Sequence, residues 1–186
     1  MSKGILVAAL AALHAGVGIA HAASTASVPA DELRVAFLYN FAKFTEWPAD
    51  AWSGSDAPFV IAIEGNSTFA HLVESAMRDR TIHGRRVEVR TVDASTSSDR
   101  CHLLYVAEAN STTLERVVAA RKPRPVLTVG EGARFLEAGG VVGLVESQGR
   151  IQFEIDLDRA RRNGLDLSSK LLALAQSVRR TDAGGD

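Results

Sequence analysis

Glu154, Asp156 and Asp158 place three carboxylates in one short stretch, and general acid/base catalysis uses that residue type in pairs. On a strand Glu154 and Asp156 would share a face, because side chains alternate, so such a pair exists only where the strand persists through Asp156. Asp156 reads instead as the cap of a following helix. Two strings, Gly65-Asn66-Ser67 and Gly130-Glu131-Gly132, each leave an apolar run of strand length. In open α/β sheets ligands favour the crevice beyond the carboxyl ends of the strands, and backbone donors at such turns hold small anions. Neither string fits a dinucleotide or phosphate-loop fingerprint, and a tight turn alone also demands glycine.

The remaining reactive types are scattered. His71, His83 and His102 lie far apart, with no His-x-x-x-His or cysteine-containing ligand spacing, and no Gly-x-Ser-x-Gly elbow occurs. Cys101 is the single cysteine, so an internal disulfide is excluded. It stands just ahead of the apolar run Leu103 to Ala107, which predicts a buried thiol at the start of a strand. The chain thus reads as non-enzymatic, with no cofactor and no metal.

The elements that would position these residues follow from periodicity. From Asp31, the residues Leu33, Phe37, Phe41 and Phe44 with Leu38 form a broad helical stripe, with Arg34, Lys43 and Glu46 elsewhere on the wheel, and Pro48 helps end the helix. Phe59 to Ile63 is a short buried-type strand, followed by a capped helix carrying Phe69, Leu72, Val73 and Ala76. Val87, Val89 and Thr91 alternate with charges as a half-exposed strand. Thr112 and Glu115 form a capping box ahead of a helix closed by Pro123 and Pro125. Val126 to Val129 is the next strand, and Phe135 and Leu136 sit on a short segment before Gly139-Gly140. Val141 to Val145 and Ile151 to Ile155 flank the turn Ser147-Gln148-Gly149, which predicts an antiparallel hairpin at a sheet edge. A last helix is expected with Leu171, Leu174, Ala175 and Val178 on one face. The whole predicts a single α/β domain: a mixed β-sheet flanked by helices on both faces, with a C-terminal antiparallel hairpin and helix.

The start of the chain has a different composition. Lys3, the apolar run Gly4 to Ala20 and the small residues of Ala20-His21-Ala22 have the layout of a secretory signal peptide, residues 1–22. Residues 23–30 read as a loose leader, 31–180 as the domain and 181–186 as a disordered tail. The 186 residues carry 21 basic and 22 acidic side chains, a formal net charge of −1. Cleavage would remove Lys3 and leave 20 against 22. Arg78-Asp79-Arg80, Arg85-Arg86, Arg159 to Arg162 and Arg179-Arg180 are dispersed and not interleaved with aromatics, so no nucleic-acid partner is indicated.

Three stretches taken together resemble the YfiR-like family. They are Ala36-Phe37-Leu38-Tyr39-Asn40-Phe41-Ala42-Lys43-Phe44 leading to Glu46-Trp47-Pro48; Pro125-Val126-Leu127-Thr128-Val129-Gly130 with Phe135 and Gly139-Gly140; and Arg150-Ile151-Gln152-Phe153-Glu154-Ile155 followed by Gly164-Leu165 and Ser168-Ser169-Lys170-Leu171-Leu172. Order and spacing also match, over roughly Asp31 to Val178. The resemblance implies a periplasmic protein, often a homodimer. It would bind the periplasmic sensory region of an inner-membrane diguanylate cyclase and hold its output down, lowering cyclic di-GMP and biofilm formation. It further implies that an outer-membrane lipoprotein can sequester the repressor.

Carried over position by position, the resemblance points to Val142 and Glu154 as partner-binding residues, on the glycine-glycine hairpin and the phenylalanine-glutamate string. The chain departs from redox-controlled members, since Leu136 and Gly143 stand in the neighbourhood of a cysteine pair. It also ends the phenylalanine-glutamate-isoleucine-asparagine string in Asp156. The competing function is a periplasmic small-ligand binding module that uses the crevice near Gly65 and Gly130.

Overall fold

The computed structural model describes residues 29–92, 101–107, 125–147 and 149–180. The signal peptide, most of the leader, the helix expected after Thr112, Gln148 of the turn and the tail from residue 181 lie outside the described residues.

Helix α1 (Ala30–Lys43) leads into the short strand β1 (Thr45–Glu46) and a 3-10 turn at Ala49–Ala51. Next come β2 (Phe59–Glu64), α2 (Ser67–Met77), β3 (Thr81–Ile82), β4 (Arg85–Val92) and β5 (Leu103–Val106). The chain then runs through β6 (Leu127–Glu131), α3 (Ala133–Glu137), β7 (Val142–Ser147) and β8 (Arg150–Asp156). It closes with α4 (Leu157–Arg162), β9 (Asp166–Leu167), α5 (Ser169–Leu174) and β10 (Ser177–Arg179).

Eight strands form one sheet in the order β10-β8-β7-β6-β5-β2-β4-β3, and β1 pairs with β9 in a separate ribbon. The central run β4, β2, β5, β6 and β7 is parallel, whereas β8 is antiparallel to β7 and β3 to β4. Parallel strands need cover on both faces, and all six residues of β2 are buried. Its alternate side chains divide between two cores. Phe59, Ile61 and Ile63 join Val35, Leu38 and Phe41 of α1 and Phe69, Val73 and Met77 of α2. Val60 and Ala62 join Cys101, Leu104, Val126 and Phe135 on the opposite face. The mixed sheet with helices on both faces is therefore the architecture read from the sequence.

Asn66 stops β2 and starts α2, its side-chain oxygen accepting from the Phe69 N–H at 2.9 Å. Asp156 does the same for α4, accepting from Arg159 N–H at 2.7 Å, which makes it a cap. Cys101 is buried ahead of β5, as expected.

Three details of the sequence reading need correction. The buried stripe of α1 centres on Val35, Leu38, Phe41 and Ala42, while Leu33, Phe37 and Phe44 sit at its margins. The last helix stops at Leu174, which is 72% exposed, and Val178 belongs to β10. Helical spacing misleads there because β10 docks in parallel on β8, pairing Val178 with Ile155, so tertiary pairing overrides the local period. For the same reason the hairpin is not the sheet edge: β10 covers β8.

Candidate functional site

The chain passes from β2 outward to β4 and then returns to β5 on the other side of β2, so strand order reverses between β2 and β5. A crevice at the carboxyl ends of these strands is where an open sheet offers a ligand site. Glu64 of β2, Tyr105 of β5 and Glu131 of β6 all stand at that end.

One oxygen of Glu131, Oε1, accepts two hydrogen bonds there. Tyr105 Oη donates at 2.6 Å and Arg34 Nε of α1 donates at 2.9 Å. Burial raises the Tyr105 phenol far above its ordinary value, with the Glu131 charge and hydrogen bond adding to the rise. The hydrogen bond to Glu131 likewise holds the Arg34 guanidinium more firmly protonated. Arg34 also reaches Asp31 at 3.4 Å. One carboxylate oxygen thus ties helix α1 to both β5 and β6. The arrangement fastens α1 across the ends of the strands.

Gly130 answers to packing. A Cβ on it would stand 2.4 Å from Phe135 Cδ2, and a Cβ on Gly140 would stand 2.1 Å from Phe135 Cε1. The fully buried Phe135 ring is thus clasped between two glycines, and it occupies the space beside β6. Gly65 has φ +80°, the left-handed conformation that the turn from β2 into α2 requires.

The His83 and His102 rings both meet Trp47, at 5.8 and 6.4 Å, and no metal-ligating group of His, Cys, Asp and Glu occurs among the described residues. His71 faces Glu74 at 3.7 Å on the surface. His83 lies with Nε2 3.0 Å from the Ala42 carbonyl. His102 is built into the frame: its ring Nδ1 accepts from Val60 N–H at 3.0 Å, and its backbone N–H donates to Val60 O at 2.9 Å. Its ring stacks on Trp52 at 4.4 Å and on Phe59 at 5.0 Å. The Arg85 guanidinium lies 4.1 Å from the centre of the Trp52 ring and donates to the carbonyls of Gly54, Ser55 and Ala57. Nothing local in the sequence announces this nest, because its members come from four separate segments.

The two residues expected to bind a partner sit one register step apart on the hairpin. Val142 pairs with Ile155, and Gly143 pairs with Glu154. Alternation therefore sends Val142 to the α1 side of the sheet and Glu154 to the other. Val142 has no exposed surface and packs in the larger core. The Glu154 side chain is 20% exposed and lies 3.4 Å from Arg179 of β10. Gly143 opposite and Ser177 alongside bring little side-chain bulk next to Glu154.

A groove of about 600 Å³ separates α1 from α2, with Val35 and Met77 in its lining. No helix among the described residues is long and apolar enough to cross a membrane.

Residues 31–176 match the family described as YfiR/HmsC-like. A crystal structure of a conserved domain protein from Vibrio cholerae O1 biovar El Tor resembles the chain with a TM-score of 0.54 and 13% identity, over 81% of this chain and 60% of that one. The ABC domain in complex with L-Trp from Streptococcus pneumonia shows a TM-score of 0.49 and 16% identity, over 65% of this chain and 55% of that one. The chain thus spans little more than half the length of these two solved chains. At such identity the Vibrio likeness concerns the fold alone.

Proposed function

As the chain belongs to the YfiR/HmsC-like family, we propose that it acts in the periplasm as an inhibitory partner of a membrane-bound diguanylate cyclase. The observation that carries this reading is the extent of the family match, which covers the folded domain from α1 to the approach to β10. The protein would bind one conformation of the cyclase better than the other and so shift its population, with no chemistry of its own. Two features support a binding role over catalysis. Tyr105 and Arg34 both hydrogen-bond to Glu131 at the carboxyl ends of the strands, and the space beside Gly130 is filled by Phe135.

The contact surface we assign to the cyclase is the β8–β10 face that carries Glu154 and Arg179. Val142 would contribute from beneath, by fixing the position of β7 against β8. An outer-membrane lipoprotein that binds the same protein would relieve the inhibition by mass action.

Deletion of the gene, with and without each candidate cyclase, tests the proposal. Cyclic di-GMP should rise only in the strain that retains the cognate cyclase. An unchanged level in every background would overturn the reading.

A further inference from the structure

The groove between α1 and α2 has a direction. Arg34, near the start of α1, reaches Glu131 at the carboxyl end of β6, whereas Ala42, near its end, meets His83 beside the start of β4. Helix α2 leaves the carboxyl end of β2 and returns toward β4, so the two helices run the same way. Val35 and Met77 form a buried apolar floor. Ala36 and Ala76 are exposed on the walls beside Leu72, which is 36% exposed and one of only two large apolar side chains so open among the described residues. Small wall residues let another helix approach closely.

The ends of the groove carry opposite charges. Glu32, exposed in the first turn of α1, stands at one end, beside Asp31. Arg80 stands at the other, its guanidinium 4.8 Å over the Tyr39 ring, with Lys43 at 5.9 Å from the same ring. From Glu32 to Tyr39 is seven helical steps, about 10 Å along the axis, and the α2 wall from Leu72 to Arg80 is of similar length. A surface with acid at one end, base at the other and an apolar middle is complementary to itself when turned by a two-fold axis. A second copy laid antiparallel would bring Glu32 of each copy to Arg80 of the other and cover both Leu72 side chains.

We propose that the α1/α2 groove is the contact between two copies of this chain, with reciprocal Glu32–Arg80 pairs setting its register. The face lies on the α1 side of the sheet, away from the Glu154 surface, so the dimer leaves that surface open.

Sedimentation equilibrium of the purified chain over a concentration series tests this. Glu32→Arg and Arg80→Glu each replace two attractions with two repulsions in a symmetric dimer, and each should weaken association by roughly tenfold or more. The double variant Glu32→Arg/Arg80→Glu restores both pairs with reversed sign, so it should dimerise about as well as the unaltered chain. Both positions are exposed, and circular dichroism checks that each variant is folded. A chain that stays monomeric at all concentrations, a dimer indifferent to the variants, or a double variant as weak as the singles would each overturn the proposal. The last result would also be expected if the groove took a helix from a different protein.

Discussion

The carboxylate of Glu154 on β8 lies 3.4 Å from the guanidinium of Arg179 on β10. The pair bridges the hairpin and the edge strand that covers it, and Arg179 is 43% exposed, so solvent limits its worth to about 1 kcal/mol or less.

Glu154→Lys therefore leaves the domain folded, with a loss of no more than about 1 kcal/mol, yet raises cyclic di-GMP in cells that hold the cognate cyclase. At an interface the same reversal replaces attraction with repulsion and costs roughly 2–5 kcal/mol of binding. The swap Glu154→Lys/Arg179→Glu restores the pair within the chain. If the partner reads the Glu154 charge itself, inhibition stays lost in the swap while denaturant stability recovers.

Gly140→Ala should destabilise by roughly 1–3 kcal/mol, through overpacking and not through backbone strain. Its new methyl group would meet Phe135 Cε1 at 2.1 Å, and the ring cannot retreat because Gly130 closes the other side. Phe135→Leu shortens the intruding group. Combined with Gly140→Ala it should cost less than the sum of the two single changes in urea titrations; strict additivity would show that the ring and Gly140 do not interact.

Acid should weaken the fold through His102. Burial lowers its pKa from 6.5 to about 4, against the raising effect of the Ala51 carbonyl and helped by the Arg85 charge. The folded state thus favours neutral imidazole, and between those values the unfolded chain binds more protons. Stability contributed by His102 is complete above about pH 6.5 and falls as pH drops toward 4, by about 3 kcal/mol. His102→Phe keeps a ring against Trp52 and Phe59 but loses the acceptor for Val60 N–H, so it should be less stable at neutral pH. Its stability should also fall less steeply between pH 6.5 and 4 than that of the unaltered chain. Parallel pH profiles would remove His102 from the acid response.

A periplasmic product should begin near Ala23, on the evidence of Lys3, the Gly4 to Ala20 run and Ala20-His21-Ala22. Mass spectrometry of the periplasmic fraction reads the first residue directly. Recovery of the chain only with membranes, with Met1 intact, would contradict cleavage.

Most of the sheet was legible because its strands are short apolar runs set off by glycine, asparagine and proline, and because Ser147-Gln148-Gly149 joins two alternating segments. The cap at Asp156 was legible too, since the side chain acts three residues from its own position. Strand β10 was not, for Val178 reads as helical until Ile155 is placed beside it. The candidate site was harder. Arg34, Tyr105 and Glu131 meet from three distant segments, and no local spacing links them. Glycines 130 and 140 were legible as turns, but their actual demand, room for the Phe135 ring, depends on tertiary packing. Alternation alone put Glu154 and Asp156 on one strand face, whereas the cover provided by β10 required the fold.

Phe37 and Phe41 of α1 both pack edge-on against Phe153 of β8, at 5.6 and 4.9 Å between ring centres. Helix α1, the first among the described residues, therefore has no finished seat until β8 exists. Helix α1 can meet β2 and α2 early, but its packing is complete only once β8 has arrived, so the domain is expected to close late. For the export proposed here such postponement is an advantage: a chain that crosses the membrane before it folds keeps α1 pliable until β8 has followed it.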